Sequence, residues 1–269
     1  EIIEERAFQD CFSLRSIKLS GVRVIGEWAF CDCSALEDVE FGDELETIGG
    51  SAFTRTSLRN IKLSKVRVIG ERAFYNCHQL TDADLSEDLE RIGGAALNDC
   101  PCLRRIAMPL NDNLFNDVSL DEFHVFYRCD NLSQVDLVGG IHKTVSSLLL
   151  DSWRHEMNDE INQINRDLPN NQYGETYEIQ QWMRRVIRRM EHYKSEHYTL
   201  LKEFTTLLEL ALWDAKLQQQ EERLWLKWVD NKQPAKKAKI DIDAVRAEAR
   251  ITSGASIVIK NVLPFLKLE

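Results

Sequence analysis

Two decapeptides 44 residues apart are almost the same: Lys18 to Glu27 reads KLSGVRVIGE and Lys62 to Glu71 reads KLSKVRVIGE, nine identities in ten. Such a period means that the chain repeats a structural unit, and units too short to bury a core alone must stack. A shorter period lies inside the long one. Leu14, Leu36, Leu58, Leu80 and Leu103 follow one another at gaps of 22, 22, 22 and 23 residues. The structural unit is therefore the shorter one, and alternate units resemble each other more than adjacent ones do.

Each unit carries an Ile-Gly pair (Ile25-Gly26, Ile48-Gly49, Ile69-Gly70, Ile92-Gly93), then an Ala with a large apolar residue at Phe30, Phe53, Phe74 or Leu97. A cysteine follows at Cys11, Cys33, Cys77, Cys100 and Cys129, while the third unit is one residue short there and offers Thr56 or Ser57. After the Leu comes an alternating apolar pair: Ile17 and Leu19, Val39 and Phe41, Ile61 and Leu63, Ala83 and Leu85, Ile106 and Met108. Period two means a short strand. Equivalent Ile, Phe and Leu residues stack on one another, the cysteine serves as a small apolar-tolerant filler, and the glycines permit a turn that a side chain would obstruct.

These residues resemble the BspA-like, or Treponema-type, leucine-rich repeat, L-x-x-I-x-L followed by I-G-x-x-A-F-x-x-C-x-x-L. The resemblance covers residues 1–138, with a divergent last unit in which Val125-Phe126, Cys129, Leu132, Val135 and Leu137 recover the pattern after an insertion from Asn111 to Asp121. It implies a curved solenoid with its strands in a parallel ladder. The fold class expected is α+β: a leucine-rich-repeat solenoid of about six units over 1–140, then an all-α antiparallel helical hairpin over 141–230 and a tail over 231–269. Glu1 falls inside a repeat and is not Met, so the natural start is expected upstream.

With the apolar strand residues inward, the outward ones are Arg15 and Lys18, then Glu37, Asp38 and Glu40, then Arg59 and Lys62, then Asp82 and Asp84, then Arg104 and Arg105, then Asp136. Their sign alternates from unit to unit, and Arg23, Glu46, Arg67 and Glu90 do the same on the opposite strand. In a parallel ladder each charge is flanked by opposite charges. The face reads either as a protein-binding surface (Arg15, Lys18, Glu37, Glu40, Arg59, Lys62, Asp82, Asp84, Arg104, Arg105) or as a self-neutralising one that fixes register, since the alternation leaves no single-sign field to steer a partner.

After Gly139-Gly140 the period becomes 3.6. Leu150, Trp153, Met157, Ile161, Ile164 and Leu168 mark a helix ending before Pro169 and the Asn170-Asn171 turn. A longer one starts near Glu175, is marked by Ile179, Met183, Val186, Met190, Tyr193, Leu200, Phe204, Leu207, Ala211 and Leu217, and reaches toward Val229. The short turn makes them antiparallel neighbours, so Glu156, Asp159 and Glu160 are expected to neutralise Arg184, Arg185, Arg188 and Arg189, which outweighs a calmodulin-target or lipid-surface reading. The run Lys236-Lys237-Ala238-Lys239 fits a nuclear-import signal. Asp241 or Asp243 would cap a short helix to Arg250. A strand from Ser256 to Lys260 would precede the apolar tail Val262, Leu263, Phe265 and Leu266, and GASIVIKNVLPFL resembles a C-terminal region attached to BspA-like repeats in families of microbial eukaryotes.

A formal net charge of −10 argues against coating nucleic acid or anionic membrane. No stretch approaches the roughly 18 apolar residues of a membrane span. Seven cysteines recurring mostly at repeat spacing favour a reducing compartment, hence an intracellular protein, cytoplasmic or nuclear. Cys31-x-Cys33 and Cys100-x-Cys102 lack the usual spacing of structural zinc. His192 and His197 do not share a helix face, and His78 and His124 have no evident carboxylate partner. With no phosphate-cradling glycine loop, nucleophile elbow or HExxH, no enzyme, cofactor or metal is expected. The function expected is a non-catalytic scaffold that binds another protein, with self-association through the hairpin as a further use. A cell-surface adhesion module and a nuclear regulator are the alternatives.

Overall fold

The structure, a computed structural model, describes residues 1–115, 124–170 and 174–232. One compact unit comprises Glu1–Glu191 and a second starts at His192. Lys236 to Lys239, the helix to Arg250, the strand at Ser256 and the tail at Val262 to Leu266 lie outside the described residues.

The repeats wind into coils with strands on two sides. The longer strands are β2 (Ser16–Leu19), β4 (Asp38–Phe41), β6 (Asn60–Lys62), β8 (Asp82–Asp84), β10 (Arg105–Pro109) and β11 (Gln134–Val138). The two-residue strands β1 (Ile2–Ile3), β3 (Val24–Ile25), β5 (Thr47–Ile48), β7 (Val68–Ile69) and β9 (Arg91–Ile92) form a continuous parallel sheet in that order. On the other side β2 pairs with β4, and β6, β8, β10 and β11 pair in sequence, all parallel. The apolar positions keep register, Ile17 beside Val39, Ile61 beside Ala83, and Ala83 beside Ile106 beside Val135. Every coil therefore adds an apolar side chain to the same interior column.

The aromatic column is the clearest. Phe8, Phe30, Phe53 and Phe74 stack with centroids 5.1, 5.1 and 5.4 Å apart and planes within 6° of parallel. Phe41 meets Phe53 edge-on at 5.6 Å. Such pairs contribute about 0.5–1.5 kcal/mol each beyond their burial. At Leu97 the column turns aliphatic, and beyond it Phe115, at the end of a 3₁₀ turn (Asp112–Phe115), packs edge-on against Phe126.

The cysteines do more than fill space. Four of the repeat thiols donate to the carbonyl of the large apolar residue one coil earlier: Cys33 to Phe8 at 3.0 Å, Cys77 to Phe53 at 3.2 Å, Cys100 to Phe74 at 3.3 Å and Cys129 to Leu97 at 3.1 Å. In the short third unit Thr56 takes the slot, donating to Phe53 O at 3.0 Å and lying 3.3 Å from the Cys77 sulfur. The glycine role also differs from expectation. A Cβ on Gly70 would lie 2.5 Å from the backbone nitrogen of Gly50, and one on Gly26 would lie 2.7 Å from that of Glu5. What excludes a side chain is the backbone of the adjacent coil, not the turn conformation.

A third ladder runs along the turn between the two strand sides, and nothing in the sequence announced it. Two residues per coil, four apart, adopt left-handed backbone without being glycine: Trp28 and Asp32, Ser51 and Arg55, Arg72 and Asn76, Ala95 and Asp99. This geometry turns alternate N–H groups toward the following coil. Trp28, Phe30 and Asp32 donate to the carbonyls of Gly50, Ala52 and Thr54 at 2.8–2.9 Å, and the later coils repeat the pattern.

After the repeats come α1 (Ile141–Ser146), α2 (Asp151–Asp167) and α3 (Glu175–Lys232). The first was not expected. Two side chains of these helices meet donors that would otherwise face a missing seventh coil: Asn165 Oδ1 accepts from the Val135 N–H at 2.7 Å, and Thr176 Oγ1 from the Phe126 N–H at 3.0 Å. An unpaired ladder edge is a template for further pairing, and here α2 and α3 close it. Trp182, fully buried, donates to the Glu160 carbonyl at 2.9 Å. Of the acids expected opposite the arginine cluster, Glu160 takes Arg185 at 3.1 Å and Arg189 at 3.5 Å, and Asp167, which was not among them, lies 4.0 Å from Arg185. Ile179, Met183, Val186, Met190, Tyr193 and Ala211 of α3 are buried, but Leu207 and Leu217 are about half exposed, against the single buried face expected of them.

Candidate functional site: the strand ladder and the turn-face groove

Register brings the outward strand residues together as lateral neighbours. Lys18 sits beside Glu40 and bonds it at 2.6 Å, and Arg59 reaches Glu37 at 2.9 Å. Arg105 bridges two coils, donating to Asp84 and to Asp136, both at 2.6 Å. The Asp84 carboxylate, more than the burial that opposes it, keeps this guanidinium firmly charged. Asp82 is half-buried beside Arg105, Asp84 lies beside Lys62, and Arg15, Lys62 and Arg104 are exposed. On the opposite side Glu46 holds Arg23 at 2.7 Å and Glu90 holds Arg67. The alternation of sign thus becomes a set of inter-coil ion pairs, leaving a surface of mixed charge.

The turn face is shaped differently. Its carbonyl ladder aligns Thr54, Tyr75, Asn98 and Tyr127 in one column, because their carbonyls accept from Asp32, Arg55, Asn76 and Asp99 in turn. Large residues occupy the second, fourth and sixth coils (Trp28; Arg72 and Tyr75; Tyr127 and Arg128). At the matching positions the third and fifth carry smaller ones (Ser51 and Thr54; Ala95 and Asn98), with Arg55 a long exception on the third. These residues, with Cys31, Arg55 and Asp99, line a groove of about 480 Å³. The Arg6 guanidinium lies 4.6 Å from the centre of the Trp28 ring, and that of Arg128 lies 5.6 Å from the Tyr127 ring. Arg55 pairs with Asp32 at 3.3 Å. No candidate site residue from the sequence lines this groove. Its aromatic residues occupy two different repeat positions, so no periodic signal picks them out.

Burial pushes the Cys31 thiol up to about 12 and that of Cys33 to about 11, far from the thiolate range a nucleophile needs. His78 has a carboxylate neighbour after all, Asp99 at 4.0 Å across the coils, but on the exposed surface. Among the described residues, no group of three or more His, Cys, Asp or Glu side chains is arranged to hold a metal ion, and no helix is long and apolar enough to cross a membrane.

A parallel-strand solenoid with these interior columns defines a leucine-rich-repeat protein. Residues 1–132 match the family model of the BspA type leucine-rich repeat region, in six copies. Among solved structures, the leucine-rich repeat protein of T. pallidum is similar at 31% identity over 50% of this chain and 62% of its own, with a TM-score of 0.45. A leucine-rich-repeat protein from Bacteroides ovatus shows 27% identity over 51% and 34%, with a TM-score of 0.43. The chain spans less than two thirds of either. No curated protein matches it.

Proposed function

We propose that this chain is a non-catalytic protein-interaction scaffold and that its turn face, rather than the charged strand face, receives the partner. The single observation that carries this reading is the groove lining, where Trp28, Tyr75 and Tyr127 stand with Arg55, Arg72 and Arg128. Those residue types dominate the energetic centres of protein interfaces. The family of its repeats supports an interaction role. The test is photo-crosslinking in a lysate of the source cells, with a photoreactive residue placed at Tyr75 or at Lys62 of the full chain. A protein adduct is expected from Tyr75, lost when Trp28 is changed to Ala and retained when Arg59 is changed to Glu. An adduct only from Lys62, or from neither position, overturns the proposal.

A second use is favoured by α3, which exposes Leu208, Leu210, Leu212 and Trp213 within six residues. Apolar surface of that density calls for a cover, and self-association of the chain supplies one. Sedimentation of the full chain should show a dimer or larger species that Leu208→Glu with Leu212→Glu reduces to monomer; a monomer at every concentration removes this reading.

A further inference from the structure

We infer that the turn-face groove takes an acidic segment of the partner in the polyproline-II conformation, an inference that rests on the interaction-scaffold reading above. Spacing is the first argument. Tyr75 and Tyr127 stand in one column with Asn98 between them, so they are two rungs apart. Rungs of a strand ladder repeat at about 4.8 Å, which sets these ridges about 9.6 Å apart. A polyproline-II helix repeats every three residues at 3.1 Å each, about 9.3 Å. An extended strand presents the same side every two residues, about 6.7 Å, and slips out of phase with the ridges at once. The smaller residues of the intervening coil, Ala95 and Asn98, leave the hollow that a prolyl ring enters, and aromatic-lined grooves are the usual hosts of such segments.

Charge is the second argument. In a chain of net charge −10 the groove lining carries three guanidiniums, those of Arg55, Arg72 and Arg128, against the single carboxylate of Asp99. Asp32 and Glu71 lie beside Arg55 and Arg72 at 3.3 and 3.6 Å, in exposed pairs that an incoming carboxylate replaces at little cost. A ligand carboxylate at every third residue meets an aromatic ridge with an arginine on each of the fourth and sixth coils.

The probe is a fluorescein-labelled (Glu-Pro-Pro)5 peptide, titrated with the full chain and read by anisotropy. Saturable binding is expected, weakened at least tenfold by Arg72→Glu and, separately, by Tyr127→Ala, whose ring is about half exposed and whose loss leaves the core intact. (Lys-Pro-Pro)5 and (Glu-Gly-Gly)5 should each bind at least tenfold more weakly. No saturable binding, equal binding of either control peptide, or unchanged affinity in both variants overturns the inference. If the peptide fails while the Tyr75 crosslink persists, only the partner's chemistry is wrong; if both fail, the scaffold reading falls as well.

Discussion

The thiol of Cys77 donates to the backbone carbonyl of Phe53, 3.2 Å away in the preceding coil. Burial pushes this thiol from 9.0 up to about 11, with the Thr56 hydroxyl pulling weakly the other way. The folded state therefore favours the neutral thiol, so its contribution is intact below about pH 9 and is lost as pH climbs toward 11. The melting temperature should hold steady to pH 9 and then fall, and Cys77→Ala, less stable at neutral pH, should fall less over that window. Parallel curves for the two proteins in circular-dichroism melts would refute the assignment.

Phe53 stacks on an aromatic ring on both sides and meets Phe41 edge-on. Phe53→Ala should destabilise the repeats by about 3–5 kcal/mol. Phe53→Leu, which makes this coil like the fifth, should cost well under half of that. Urea titration measures both.

Gly70 and Gly140 separate two reasons for a glycine. Gly70→Ala drives a methyl group into the Gly50 backbone, whereas nothing lies within 4 Å of a Cβ on Gly140, which has ordinary helical geometry. The first should lower stability by more than about 2 kcal/mol, and the second should be neutral or stabilising by up to about 1 kcal/mol. Equal effects would mean that the coils are not as closely apposed as described.

Asn165 and Thr176 satisfy two outward donors of the last coil, the N–H groups of Val135 and Phe126. Replacing Asn165 with Leu or Thr176 with Val leaves a buried N–H without its acceptor, a cost of about 1–3 kcal/mol each. Hydrogen exchange at Val135 and Phe126 should accelerate in the matching variant and stay slow in the other.

The inter-coil ion pairs on the strand face are exposed, and a double-mutant cycle on Lys18 and Glu40 should return a coupling below about 1 kcal/mol. A markedly larger value would mean that the ladder's charges hold the coils together rather than only aligning them.

What could be read from the residues alone follows from what repeats. The Phe column, the strand registers and the pairing of Arg23 with Glu46 each recur at a fixed offset, and recurrence makes a position visible without coordinates. The left-handed turn residues stayed hidden because Trp28, Arg72 and Ala95 share no side-chain chemistry; backbone geometry alone unites them. Asn165 and Thr176 are single polar residues on helices, each indistinguishable in sequence from a surface residue. The groove escaped notice because it arises from contrast between neighbouring coils, large beside small, at positions where the repeat imposes no residue type.

Rows that change sign at every coil make the stack count in twos. Deleting the coil that contains Glu46 would set Arg23 against Arg67, and inserting one would create the same clash elsewhere, whereas a step of two restores every pair. A two-coil step is thus the smallest change of length that leaves these pairs in register, and the 44-residue echo in the sequence has that even-numbered spacing.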